Sequence, residues 1–130
     1  MHLTRFVTTR EQGSCFEDLE LAWPDARTDA FGHVLALSRN FAADCLLATL
    51  PVGLDQDWHN APDRQLVAVL AGRLEVETTD GACRQWGPGG LFFADDTDGR
   101  GHRTRVLEGP ARLLFVRLAA DFDVGVLTRT

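Results

Sequence analysis

Four histidines occur in this chain, and two of them stand where a side chain could do chemistry. His59 lies in "DWHNAPDRQ", residues 57–65, beside Trp58, Arg64 and Gln65. His102 follows Gly101 at the end of the acidic loop "DDTDGRG". Imidazole takes up and releases protons near neutrality, so two of them facing one substrate can shift a proton between carbons. They can also take one proton while returning another. Gln65 would orient a carbonyl or hydroxyl without adding charge. Asp95 and Asp96 end the apolar run "LFFA". Adjacent strand residues cannot both face one cavity, and Asp96 is assigned to it, as the orienter of His102 or as a carboxylate base.

The remaining candidates would bind substrate. Trp58, beside His59, is placed at a pocket rim, where an indole offers an apolar body and one N–H. Arg64 and Arg103 can hold a carboxylate or enolate oxygen. Arg64 neighbours an inward Gln65 and so belongs at the rim, and Arg103 stands likewise beside His102. Phe92 and Phe93 alternate faces, and Phe93 is assigned to the pocket. His2 and His33 have no comparable setting. Catalytic candidates are therefore His59, His102, Gln65 and Asp96, and substrate-binding candidates are Trp58, Arg64, Phe93 and Arg103.

Composition removes several classes. All thirteen basic residues are arginine, and tyrosine is absent. Schiff-base chemistry, a lysine base and a tyrosine acid are excluded. A net charge of −6 opposes binding to nucleic acid or anionic membranes. "GPGG" has no following helix, Lys or Ser/Thr, so it is no phosphate loop. There is no nucleophile elbow and no helical metal motif. Cys15, Cys45 and Cys83 form no close pair, and they are expected as small buried thiols in a reducing compartment. The first residues lack the apolar segment of a signal peptide, and no stretch is long enough to span a membrane. A cytoplasmic protein is expected.

The elements that must position these residues are short strands. The length, 130 residues, suits one domain with a real core. Residues 66–70 are apolar on both faces, as in a covered strand. Gly72 and Arg73 interrupt it. "LEVET" then alternates, and Asp80-Gly81 marks a hairpin into "ACRQW". Pro88-Gly89-Gly90 turns the chain into "LFFA". "HRTRVLEG" and "ARLLFVRL" read as strands divided at Pro110. "FAADCLLATL" reads as a strand with Cys45, Leu47 and Thr49 on one face. Trp23 and Phe31, in a Pro-broken loop, are expected to pack on the body, and "HLTRFVTT" alternates as an edge strand. Short strands with regular turns imply a sandwich, jelly roll or barrel.

Two blocks resemble the small single-domain cupins, whose fold is a double-stranded β-helix. In "WHNAPDRQLVAVLAG", residues 58–72, His59 matches the first motif's leading histidine. Ala61 falls where the second histidine would stand, Gln65 where the family has glutamate, and Gly72 where a glycine ends the strand. In "GPGGLFFADD" through "GRGHRTRV", Pro88-Gly89-Gly90 matches the turn before the second motif, and His102 matches its histidine. The connecting loop is one residue longer, and Val106 replaces a frequent asparagine. The patterns "WHxAPxRQ" and "DxTxGxGH" are similar to those of a group of bacterial cupins mostly without an assigned reaction.

The resemblance implies an all-β cupin jelly-roll barrel: an N-terminal arm with the first strands over 1–40, the main barrel over 41–118 and a tail over 119–130. It brings His59 and His102 together inside the barrel. The function expected is an acid–base isomerase, lyase or cyclase acting on a small organic substrate. A metal-dependent oxygenase and a non-catalytic ligand-binding cupin stand as alternatives. No cofactor is expected, or else one weakly held divalent metal (Fe, Mn, Ni or Zn) on His59, Gln65 and His102. A homodimer is expected, paired through sheet edges and the N-terminal arm.

Overall fold

A computed structural model describes residues 1–129. Its strands, in chain order, are β1 His2–Thr8, β2 Ser14–Glu20, β3 Asp25–Thr28, β4 Val34–Leu37, β5 Asp44–Leu50, β6 Asp55–His59, β7 Gln65–Glu77, β8 Cys83–Trp86, β9 Leu91–Ala94 and β10 His102–Arg117. One short helix, α1 Gly125–Thr128, follows among the described residues.

Two long antiparallel strands, β7 and β10, organise everything else. Each belongs to two half-sheets. The first half of β7 pairs with β9 and its second half with β8. The first half of β10 pairs with β6 and its second half with β5. β1 extends the first group by pairing parallel to β9, and β2 closes that side. The result is an all-β jelly roll of two facing half-sheets. The sequence divides each long strand into two. The structure keeps each continuous and bends it instead.

Gly72 shows why the bend falls where it does. Its φ is +80°, a conformation that side chains oppose. A Cβ there would stand 2.6 Å from the carbonyl oxygen of Glu108 and 2.7 Å from Cα of Ala111. β7 and β10 thus cross at their bends with no room for a side chain. The β7–β10 register also slips on both sides of this level, at Glu108 and Arg112.

Strand alternation fills the space between the halves. Val67, Val69 and Leu113 come from one half; Leu74, Val76 and Val106 come from the other. Opposite faces of the first half carry a second cluster, in which Leu3, Leu66 and Phe93 pack under Leu118 and Leu127 of the C-terminal segment. Glu75 and Glu77 face outward onto Arg105.

Several expectations are corrected here. Cys45 and Cys83 lie in strands, but on outward positions, and are exposed; Cys15 is half-buried, and all three are free thiols. β1 lies between β2 and β9, so it is not an edge. Asp25–Thr28 is a strand, and it forms with β4 a separate two-stranded sheet joined by a turn whose N–H groups at Phe31 and His33 donate to Asp29. Phe31 does not pack on the body, being 85% exposed, while Trp23 is half-exposed. Among the described residues no helix is long and apolar enough to cross a membrane.

Candidate functional site

The half-sheets do not close fully on each other. Between them lies a cavity of about 520 Å³. Phe6, Val67, Leu74, Val76, Phe92 and Leu113 form much of its apolar wall. Its polar members are few, and they include His59, Gln65, His102, Thr104 and Arg117. A largely apolar cavity with a few convergent polar groups is the usual form of a small-molecule site.

His59 ends β6 and His102 begins β10, and the two are register partners. Their ring centroids are 4.6 Å apart, with 59° between the planes. The histidines are 43 positions apart in sequence, and a specific backbone device brings them together. Gly101, at φ +72°, lets β10 start hard against β6: a Cβ on it would lie 1.9 Å from the His59 carbonyl oxygen. Asn60 fastens the same junction, its amide donating to the carbonyls of Asp98 at 2.9 Å and Gly99 at 2.8 Å. Ser14 adds a 2.6 Å bond to the Gly101 carbonyl.

The hydrogen bonds define what each ring can do. His59 Nδ1 is 2.7 Å from the Asp57 carbonyl oxygen, which only accepts, so Nδ1 carries the proton. His102 Nδ1 is 2.5 Å from Asp96 Oδ2 and donates to it. Among the described residues Nε2 of each ring has no protein hydrogen-bond partner. Both free nitrogens therefore belong to residues on one cavity wall. Asp96 is fully buried behind His102, and its Oδ1 has no hydrogen-bond partner. Such an orphaned buried oxygen is uncommon. Asp96 is thus a positioning group for His102 and does not line the cavity. Gln65 is 7% exposed, and its amide makes no side-chain hydrogen bond among the described residues, so it is available to a ligand.

The four expected substrate-binding residues lie elsewhere. Trp58, although adjacent to His59, projects away from the cavity and is 40% exposed. Phe93 is wholly buried in the outer cluster; its neighbour Phe92 takes the inward face. Arg103 turns outward to Asp55 at 3.2 Å. Arg64 also faces away. Its Nε donates to Asp95 at 2.6 Å, and its Nη1 donates to the carbonyls of Ala120 and Phe122. The Asp95 carboxylate holds the Arg64 guanidinium above its ordinary value. Asp95 is shared with Arg5 and sits over the Phe93 side of the sheet, so it is the partner of two arginines and not a cavity base.

Several polar cavity residues were not foreseen, namely Gln56, Asn60, Asp63, Thr104 and Arg117. Thr104 follows His102 by two positions on the inward face. Arg117 continues the inward series Leu113, Phe115, Arg117 on β10. The period-2 alternation of "ARLLFVRL" carries that signal once Leu113 is known to point inward.

The donor set fits a transition metal only in part. The two imidazoles have the arrangement metal ligands adopt, with Nδ1 tied and Nε2 free. A stable site asks for three protein donors, and no cluster of three His, Cys, Asp or Glu occurs among the described residues. Ala61 leaves a gap where a third imidazole would stand, and Gln65 brings only a neutral amide.

No family model matches the chain, and no curated protein matches it. Among solved structures, the cupin domain of Schizosaccharomyces pombe Cnp3 is similar at 13% identity and a TM-score of 0.45, over 91% of this chain and 87% of that one. The Thermus thermophilus catabolite activator protein is similar at 18% identity and a TM-score of 0.38, over 58% of this chain. The match spans 38% of that protein's length. At such values neither likeness bears on ligand or reaction.

Proposed function

We propose that this chain is an enzyme of small organic molecules that transfers protons inside its barrel, with His59 and His102 as the acid–base pair. One observation carries the proposal: two imidazoles from distant segments meet in one cavity, each with Nδ1 engaged and Nε2 free. The partners of the rings differ, and that difference assigns roles. Asp96 supplies a carboxylate to balance a proton held by His102. His59 has only a backbone carbonyl. His59 Nε2 then removes a proton from substrate carbon, and His102 Nε2 delivers one to another carbon or to a leaving oxygen. For an isomerisation the two transfers cancel. For an elimination the departing group leaves with the second proton. Gln65 donates from its amide to the oxygen that gains charge.

The test needs no prior substrate. The purified chain is incubated in D2O with a panel of oxo acids, ketones and hydroxy acids, and carbon-bound deuterium is read by NMR. A substrate of this enzyme exchanges, and His59→Ala and His102→Ala each slow that exchange by about 10²–10⁴-fold. Full exchange in both variants would sink the assignment. Asp96→Asn should change the ¹⁵N signature of His102 and leave that of His59 alone.

A metal-dependent cupin is the second reading, favoured by the free Nε2 pair itself. His59, His102 and Gln65 would hold one Fe, Mn, Ni or Zn ion weakly, and the ion would supply Lewis-acid or oxygen chemistry. Metal analysis of untagged protein separates the readings: stoichiometric metal that is lost in both histidine variants replaces the metal-free mechanism. Tight ligand binding without exchange or turnover would leave a binding protein.

A further inference from the structure

Arg117 is the only arginine on the cavity wall, and among the described residues its guanidinium has neither a hydrogen bond nor an ion pair. That sets it apart from the arginines of this chain that are committed to carboxylates. Arg5 and Arg64 hold Asp95, Arg84 holds Asp18, and Arg105 holds Glu75 and Glu77. Acidic groups are near Arg117 as well. Asp63 shares its part of the cavity, and Asp44 is its register partner on β5, yet neither pairs with it.

Among the described residues Arg10, Arg27, Arg39, Arg100 and Arg112 carry no side-chain partner either, so it is its position on the cavity wall that distinguishes Arg117. Arg117 and Gln65 are register partners on β10 and β7, and both point inward. They belong to the half-sheet that contains β5 and β9. His59, His102 and Thr104 belong to the opposite half, with β6. Arg117 therefore stands on the half-sheet opposite the imidazole pair, at the exposed end of the cavity, with Phe115 next to it along β10.

We infer that Arg117 recognises a carboxylate on the ligand, so that the ligand is a small organic acid with an apolar body. Guanidinium and carboxylate match in a two-point fork that lysine cannot reproduce. Anchored there, the acid lays its body along Phe6, Phe92 and Leu113 and offers its far atoms to the two Nε2 nitrogens. Asp44 and Asp63 make the rim unfavourable to a second negative charge, which selects monoanions over dianions. The inference rests on the proposed cavity being the ligand site, and it names the class of compound that enters.

The experiment uses the whole chain and matched pairs of probes: aryl and alkyl monocarboxylates of four to ten carbons and their primary amides. Binding is read by ligand-observed NMR and calorimetry. The carboxylate of a pair should bind about tenfold or more better than its amide. Arg117→Gln should abolish that preference, and Arg117→Lys should restore only part of it. Arg117 is exposed, so these variants fold. Two outcomes overturn the inference: no pair preferring the carboxylate, or a preference that survives Arg117→Gln. A preference lost with Arg117 but unaffected by His59→Ala, together with no proton exchange in the parent, upholds the acid site and rejects the acid–base chemistry. Exchange on neutral ketones alone does the reverse.

Discussion

Replacing Gly101 by alanine tests whether the meeting of the histidines is built into the backbone. Gly101 has φ +72°, and a Cβ there would lie 1.9 Å from the His59 carbonyl oxygen and 2.7 Å from the Asn60 nitrogen. Ordinary contact begins near 3.4 Å, so β6 and the start of β10 must part by about 1.5 Å. Two costs add. A left-handed alanine costs about 1–2 kcal/mol. Forced separation of packed backbone costs about 1–3 kcal/mol more. Together, about 2–5 kcal/mol lowers the melting temperature of a chain this size by about 8–20 °C.

Gly53 is the control. Its φ is +76° with nothing near its missing Cβ, so Gly53→Ala bears the first cost alone, about 4–8 °C. Calorimetry measures both variants. The separation should also abolish nuclear Overhauser contacts between the two rings and slow proton exchange on any substrate by about 10²-fold, the effect of a misplacement near 1 Å. Equal melting shifts in the two variants would refute the close-approach argument. A Gly101→Ala protein that keeps the ring-to-ring contact would refute its connection to the site.

Arg64 pins the C-terminal segment, so Arg64→Ala should raise amide exchange over residues 119–128 and cost about 1–3 kcal/mol, moderated because Arg5 still holds Asp95; unchanged exchange there refutes the pin. The Thr78 hydroxyl, with the Ala82 N–H, holds the Asp80 carboxyl below its ordinary range. A depressed native value stabilises the fold above about pH 4 and ceases to do so as pH falls through it. Thr78→Val should therefore flatten the acid limb of the stability curve, and an unaltered limb between about pH 5 and 3 speaks against the bond. The β3–β4 hairpin pairs with no other strand and exposes Phe31 and Val34, while β5 keeps a free edge. An isolated hairpin is marginal in water and a bare edge invites pairing, so a second copy is the expected occupant. Light scattering should give twice 14.3 kDa, Phe31→Asp with Val34→Asp should shift it toward monomer, and monomer mass at all concentrations would exclude the pairing.

What the sequence made legible follows from what kind of signal each residue carries. Strands showed because alternation and turn residues are local. "LEVET", Asp80-Gly81 and Pro88-Gly89-Gly90 each stand where the structure has a strand or turn. The pairing of His59 with His102 is not local, and the resemblance to cupins supplied it. Continuity of β7 and β10 was hidden because Gly72 and Pro110 read as breaks, while in three dimensions they are where two strands cross. The arginines misled for a related reason. Arg64 and Arg103 are neighbours of inward residues, and alternation sends such neighbours outward, where carboxylates from distant segments await them.

That same rule identifies Arg117. Once one residue of a strand is known to face the cavity, every second residue is committed with it, including a charge at the far end. On β10 the series runs from Leu113 through Phe115 to Arg117, and across the ladder Gln65 stands opposite. Arg117 is exposed at the open end of that series, so its charge stays hydrated, and among the described residues its guanidinium is left without a protein anion. Its placement is explained when a ligand brings the missing anion. On the proposed reading the cavity would work from end to end: a guanidinium to hold one end of an acid, an apolar floor to take its body, and two imidazoles, brought together at Gly101, to meet its reactive carbons.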